Sequence, residues 1–278
     1  MSHISIGRAL RFSLSFLVRN YAAIAVRIAL PALAGWIALY ISLSMYLAEL
    51  GRYLDNPSDR VASLVLGLAT AGLLVMLFMH SVIVASISAL ALGYRDGRWK
   101  YFQIERCEWR LYAANLRLLL VLGVWIVAMR VLEIAAIRFL STVNFDLVLD
   151  AIMGAAGAFL VVRVWFLMAP TAVTNTHGKI LRRAWQQSAG NFWRVAAIIF
   201  VLLLVGLAVE TAGEFVLRAS VEFPPIPGNG SLADYTAMYR KVLPEVLCVV
   251  GIAYLLCNVM MTAARLDVYR QLTENTES

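Results

Sequence analysis

The sequence predicts an all-α fold: a polytopic membrane bundle of six transmembrane helices with amphipathic elbow helices at the membrane interface. Three observations predict it. Of the 278 residues, 62% are hydrophobic and 15% are charged, whereas soluble domains average about 45–50% apolar and about 25% charged residues. Six apolar stretches are long enough to cross a hydrocarbon core of about 30 Å. Basic and aromatic residues collect where several of these stretches begin.

The predicted spans belong to a single integral membrane domain that covers residues 1–278. Each contains roughly the 20 apolar residues that a transmembrane helix needs. They lie at about 21–48, 61–92, 115–139, 147–172, 195–217 and 244–264. Residues 1–20 are predicted to form an interfacial helix, and residues 265–278 are predicted to be a cytoplasmic tail.

The distribution of Lys and Arg predicts the orientation. Fifteen of the 24 basic residues fall in segments on the side of the amino terminus, and six fall in segments on the opposite side. Because cytoplasmic loops carry the excess of Lys and Arg, both termini are predicted to be cytoplasmic. The net charge of +7 does not indicate nucleic-acid binding, since the basic residues alternate with membrane anchors and no nucleic-acid motif accompanies them.

An amphipathic elbow is predicted before the fifth span, in the stretch HGKILRRAWQQSAGNFWRV. Its apolar positions have helical spacing and are Leu181, Ala184, Trp185, Ser188 and Phe192. Such a helix lies in the interface, where Trp prefers the headgroup level and Arg pairs with anionic lipid. Similar segments precede the first and third spans, so the chain reads as three units of an elbow and a hairpin. The candidate lipid-headgroup contacts are Arg106, Trp109, Arg110, Arg182, Arg183, Trp185, Trp193 and Arg194.

Charged residues within the predicted spans need a physical reason, because each costs roughly 2.5–3.5 kcal/mol on insertion scales. Arg130 and Glu133 are three residues apart and could pair on one helix, and Glu210 should lie at a depth similar to Glu133. Arg163 lies in the fourth span. These four residues form either an intramembrane polar site or a set of interhelical pairs and snorkelling arginines, and the second interpretation is favoured.

The residues with reactive side chains do not form a catalytic or metal-binding pattern. His80 lies in mid-span and is predicted to be a hydrogen-bonded packing residue, since a relay or metal site needs a second ligand nearby. The three cysteines have no metal-ligand spacing. The sequence contains no phosphate loop, nucleophile elbow or HExxH motif. We therefore predict no enzymatic activity, no cofactor and no metal.

The stretch VRVWFLMAPTAV, followed by ILRRAWQQSAGNFWRV, resembles a group of bacterial inner-membrane proteins. These are the YciC-like proteins and the six-span membrane domain that is attached to glycerophosphodiester phosphodiesterases. The matching features are an Arg in the fourth span, a Pro at its end, a Trp in the amphipathic segment and a Gly-Asn pair, here Arg163, Pro170, Trp185, Gly190 and Asn191. The resemblance implies a bacterial inner-membrane location. It does not imply hydrolase activity, because the sequence lacks the catalytic barrel of those phosphodiesterases.

The leading functional prediction is a non-enzymatic inner-membrane protein that acts in envelope or lipid homeostasis, or as a membrane subunit of a larger complex. Its expected partners are membrane lipids, mainly anionic, and other proteins within the membrane. The alternative is a transporter of a small molecule, lipid or ion that uses the intramembrane Arg and Glu residues. A transporter requires a hydrated cavity that reaches those residues, whereas a non-transporting membrane protein of the leading prediction requires no such cavity.

Overall fold

The computed structural model describes residues 4–55, 58–93, 106–139, 145–174, 179–220 and 232–274 of the chain. These ranges are helical apart from short caps and turns, and no strand occurs in them. The helices are α1 (Ile6–Asp55), α2 (Asp59–Ala91), α3 (Arg106–Phe139), α4 (Phe145–Leu160), α5 (Phe166–Thr174), α6 (Ile180–Gln187), α7 (Phe192–Ser220) and α8 (Leu232–Glu274). The predicted all-α bundle is confirmed.

Six helical segments in these ranges are long and apolar enough to cross a membrane, so the chain is a multi-pass membrane protein. They are Ile6–Leu54, Arg60–Ala91, Arg106–Leu132, Asp150–Thr174, Phe192–Ala219 and Asp234–Glu274. The fourth segment joins α4 and α5 through a π-helical turn at Val161–Trp165. The number of predicted spans is confirmed, and each of the observed helices begins before the start of its predicted span.

The first and last helices are much longer than a bilayer needs. At 1.5 Å per residue, the 50 residues of α1 are about 75 Å long and the 43 residues of α8 are about 65 Å long. The hydrocarbon core is about 30 Å thick, so both helices continue beyond it. α1 packs along α8 and α2, and these three helices form the central part of the bundle.

The two ends of the chain lie together. The Ser5 amide donates to Oε1 of Gln271 at 2.6 Å, and Nε of Arg8 lies 3.2 Å from Oδ1 of Asp267. We call this end of the bundle the terminal end and the opposite end the distal end. Six spans, an even number, are consistent with the first and last described residues lying at the same end of the bundle.

The tightest packing lies in the half of the bundle next to the terminal end, which we call the terminal half, and the other half is the distal half. One apolar cluster joins Val84, Phe166, Ile198 and Ala264 from α2, α5, α7 and α8, and each is at most 1% exposed. In the distal half the same helices expose large apolar side chains, such as Leu66 (69% exposed). Since protein and lipid are both apolar, helix contacts in membranes depend on close packing, and here that packing is concentrated at one end.

Two predicted elbows differ from the structure. α1 is continuous from Ile6, so the helix predicted over residues 1–20 does not form a separate element, and residues 1–3 lie outside the described part. Asn20, at the end of the predicted elbow, donates from Nδ2 to the Phe16 carbonyl at 3.0 Å inside the same helix. α3 is likewise continuous from Arg106 into its span. Within the described ranges, the elbow before the fifth span is the only one of the three that forms a separate helix, α6.

Most of the segment predicted to be a cytoplasmic tail, residues 265–278, belongs to a packed helix. α8 continues to Glu274, and Arg265, Asp267 and Gln271 are buried. Residues 275–278 lie outside the described part. The segment after the sixth predicted span is thus part of the packed terminal half. Its apolar and polar side chains are both covered by neighbouring helices, which a hydropathy average does not reveal.

Candidate functional site

The short helix α6 is held against the bundle by one face. Ile180 and Ala184, four residues apart, are both buried, since residues at this spacing lie on the same side of a helix. At the end of α6 the Ser188 hydroxyl donates to the Arg163 carbonyl at 2.7 Å and its amide donates to the Ala184 carbonyl. The first of these contacts ties α6 to the π-helical turn. The inner face of the elbow is therefore fixed.

The opposite face of α6 is exposed. Arg182 and Arg183 are exposed, and Trp185 is 39% exposed. The guanidinium of Arg163 lies 4.5 Å from the centre of the Trp185 ring, a cation–π contact. The sequence pattern grouped Trp185 with the apolar positions of this helix, and in the structure its ring is exposed together with Arg182 and Arg183. Arg182, Arg183 and Trp185 together form what we call the elbow surface.

The turn between α6 and α7 positions a second tryptophan. Gly190 has a φ of +78°, a conformation that costs glycine little and other residues more. The chain thereby reverses into α7, where Trp193 is 81% exposed and packs edge-on against Phe192 at 5.1 Å. An indole so exposed beside a membrane span is typical of the headgroup level.

Arg194, a predicted headgroup contact, also forms a hydrogen bond within the protein. Its Nη1 donates to the Ile4 carbonyl at 3.0 Å. The Ile4 amide in turn faces Oδ1 of Asn191 at 3.5 Å. These contacts fasten the start of the chain to the turn before α7, and Arg194 is only partly exposed. Its side chain is less available to lipid than those of Arg182 and Arg183.

The predicted contacts at the start of α3 form a separate patch. Arg106 is exposed, and Nε of Arg110 donates to its carbonyl at 3.2 Å. Trp109 is 54% exposed, and its ring packs against Phe78 and Tyr112 at 5.2 and 6.1 Å. The patch combines an aromatic cluster with two arginines.

The predicted intramembrane site is dispersed. Nη2 of Arg130 lies 3.5 Å from Oδ1 of Asp150 on α4, and both side chains are about half exposed. Glu210 is exposed on α7, and Arg163 contacts the elbow surface. The side chain of Glu133 lies outside the described part of the chain. Each of the three described residues has a different neighbourhood, and Asp150 is a partner that the prediction did not name.

Comparison of the chain with family models, with curated proteins and with solved structures finds no match.

Arg265 is a buried arginine that the sequence pattern did not indicate as a candidate site. Arg265 is 1% exposed, and its guanidinium lies over the Trp165 ring at 3.8 Å and near the Phe166 ring at 5.8 Å. Its Nε and Nη2 atoms are buried without a hydrogen-bond partner among the described residues, as is the Thr262 hydroxyl three residues earlier. A buried cation in a membrane protein is usually paired or functional, which makes Arg265 a second candidate site.

An aromatic stack extends from Arg265 towards the distal half. The Trp165 ring lies parallel to His80 at 6.2 Å, and Nδ1 of His80 is hydrogen-bonded to the Tyr254 hydroxyl at 2.6 Å. His80 and Tyr254 also line a small apolar cavity of about 100 Å³ between α1, α2 and α8. The prediction that His80 is a hydrogen-bonded packing residue is confirmed. The π-helical turn adds one residue to the helix between α4 and α5. This extra residue sets the directions in which the side chains of Arg163 and Trp165 project.

Proposed function

We propose that this chain is a non-enzymatic membrane protein that binds anionic lipid at its elbow surface and acts in envelope or lipid homeostasis, or as a membrane subunit of a larger complex. One observation carries the proposal. α6 is fixed by its buried face, while Arg182 and Arg183 remain exposed next to two exposed indoles. This arrangement gives anionic headgroups a rigid cationic contact at the depth that tryptophan selects.

The proposal also includes the location of the protein in the cell. We infer a bacterial inner membrane with both termini in the cytoplasm, and membership of the YciC-like group. The support is the excess of Lys and Arg on the side of the termini and the motif around Arg163 and Gly190. On this assignment the elbow surface faces the cytoplasmic leaflet, which carries the anionic lipid that attracts basic residues.

The substitutions Arg182→Gln and Arg183→Gln together should weaken binding of phosphatidylglycerol. Each arginine near an anionic surface contributes roughly 1 kcal/mol, so the pair should lower the affinity more than about tenfold. Native mass spectrometry of the detergent-purified protein, titrated with phosphatidylglycerol, measures this. The matched control is Arg52→Gln with Arg218→Gln, which removes two exposed arginines at the distal end. Equal losses in both double variants would count against the elbow surface.

Transport is the second candidate function, and the buried Arg265 favours it. A transporter that carries an anion needs a fixed cation within the bundle and a water path to it. The Thr262 hydroxyl is buried without a partner in the described ranges and lies one helical turn from Arg265. It is a suitable position at which to detect such a path.

In a variant without the three native cysteines, Thr262→Cys tests for that path. If the protein is a transporter, a membrane-impermeant maleimide should reach and label this cysteine from one side of the membrane. Labelling is therefore measured both in intact vesicles and in permeabilised vesicles. Substitution at an exposed position of the protein surface, Arg182→Cys, provides the positive control for labelling. If Thr262→Cys stays unlabelled while the control reacts, the result contradicts transport through this region of the protein.

A further inference from the structure

α1 and α8 enclose an open recess at the terminal end of the bundle. Its volume is about 570 Å³, which is large enough for a polar headgroup. The lining is mainly cationic and polar, and includes Arg8, Arg11, Arg270, Asp267, Ser5 and Ser15. Three guanidinium groups thus face one carboxylate.

The carboxylate is already engaged by the protein. Asp267 is 2% exposed, its Oδ1 lies 3.2 Å from Nε of Arg8, and its Oδ2 accepts a hydrogen bond from Gln271. These contacts hold Arg8 at the wall of the recess. Nη2 of Arg8 also lies 3.5 Å from Oε2 of Glu274. Three arginines therefore lie near two carboxylates, and the recess keeps a net positive charge.

The other two arginines of the recess differ in how firmly they are held. Nη2 of Arg270 donates to the Ala91 carbonyl at 2.6 Å, and its guanidinium lies 5.7 Å from the Phe12 ring. Arg11 is exposed and forms no hydrogen bond or ion pair with the residues that the structure describes. As far as the described residues show, the donors of Arg11 are therefore open to an anion. Arginine donors bind phosphate oxygens with strong, charge-assisted hydrogen bonds.

The surface beside Arg11 shows where a lipid would lie. Leu14, Val18 and Tyr21 continue the same stripe of α1, at spacings of three and four residues. These side chains are 54%, 70% and 71% exposed. This stripe of α1 thus changes from arginine at Arg11 to hydrocarbon at Leu14 and Val18 within about two turns, while the exposed Arg19 lies at its flank. Such a change marks the boundary between the headgroups and the acyl chains, and it places the recess at the headgroup level.

We propose that this recess binds the phosphate group of an anionic membrane lipid, whose acyl chains lie along Leu14 and Val18. Arg11 contacts the phosphate directly, Arg8 and Arg270 complete the cationic wall, and Asp267 positions Arg8. The inference goes beyond the proposed function, because it uses none of the residues of the elbow surface and stands or fails independently of it.

The test is the single substitution Arg11→Gln in the full chain, with Arg19→Gln as the matched control. Arg19 is an exposed arginine two turns further along the same helix and does not line the recess. Native mass spectrometry measures binding of phosphatidylglycerol and of phosphatidylcholine with the same acyl chains. We expect Arg11→Gln to weaken one phosphatidylglycerol site at least about tenfold, both in the native sequence and together with Arg182→Gln and Arg183→Gln. Arg19→Gln should leave that site intact.

Three outcomes would overturn the proposal. The first is an equal effect of Arg11→Gln and Arg19→Gln, which would indicate a diffuse electrostatic attraction. The second is equal retention of phosphatidylcholine and phosphatidylglycerol in the native protein. The third is binding of inorganic phosphate, at millimolar concentration, that depends on Arg11 while lipid binding does not, because the recess would then be a site for a soluble phosphate. Unchanged melting temperatures of both variants show that the comparison reports binding rather than folding.

Discussion

Replacing Phe166 by alanine is expected to destabilise the protein by about 3 kcal/mol or more, the usual cost of removing a fully buried aromatic side chain. Phe166 is 0% exposed and lies in the cluster that joins α2, α5, α7 and α8. Its ring also lies 5.8 Å from the Arg265 guanidinium. The cavity would therefore open at the most tightly packed part of the bundle. Thermal unfolding of the purified protein in detergent, followed by circular dichroism, measures the effect.

The matched control is Phe215→Ala on α7. This ring is 75% exposed, so its removal creates no cavity, and exposed substitutions usually change stability by less than about 0.5 kcal/mol. If the two variants melt at the same temperature, the terminal half is not the stabilising core.

Replacing Arg265 by methionine is expected to raise the melting temperature. Burial of an arginine that lacks hydrogen-bond partners costs several kcal/mol, and apolar replacements of similar size are often stabilising by about 1–4 kcal/mol. The cation–π contact with Trp165 opposes this by about 0.5–2 kcal/mol. Because Nε and Nη2 of Arg265 have no hydrogen-bond partner within the described residues, the cost of burial should exceed the gain from the ring. The same unfolding measurement applies.

Two controls separate charge from volume. Arg265→Ala removes the charge but leaves a cavity, so it should melt below Arg265→Met. Arg270→Met removes an arginine that is hydrogen-bonded to the Ala91 carbonyl, and it should not raise the melting temperature. A lower melting temperature for Arg265→Met than for the native protein would mean that an anion or ordered water satisfies the guanidinium in the folded state.

Most of the membrane architecture could be predicted because it depends on local composition. A run of about 20 apolar residues spans a bilayer whatever its neighbours are, and the helix-spaced pattern of α6 similarly indicates a surface helix. The bends were harder to predict. Gly190 interrupts the helix because its φ of +78° ends the hydrogen-bonding pattern, whereas Asn20 bonds within α1 and the helix continues. A polar residue before an apolar run does not distinguish these two cases.

The amino-acid sequence by itself determined the fold class, the number of spans and the elbow surface, because hydropathy and helical spacing act over a few turns of a single chain segment. Only the tertiary structure decided which charges lie inside. Arg265 and Asp267 look like solvated charges after the last predicted span, but the Trp165 and Phe166 rings cover Arg265, and Asp267 is buried against Arg8 of α1, because distant segments pack against α8 there. Arg11 and Arg270 are far apart in the sequence and line one recess for the same reason. Contacts between distant segments depend on how whole helices cross, and local patterns carry no information about that crossing.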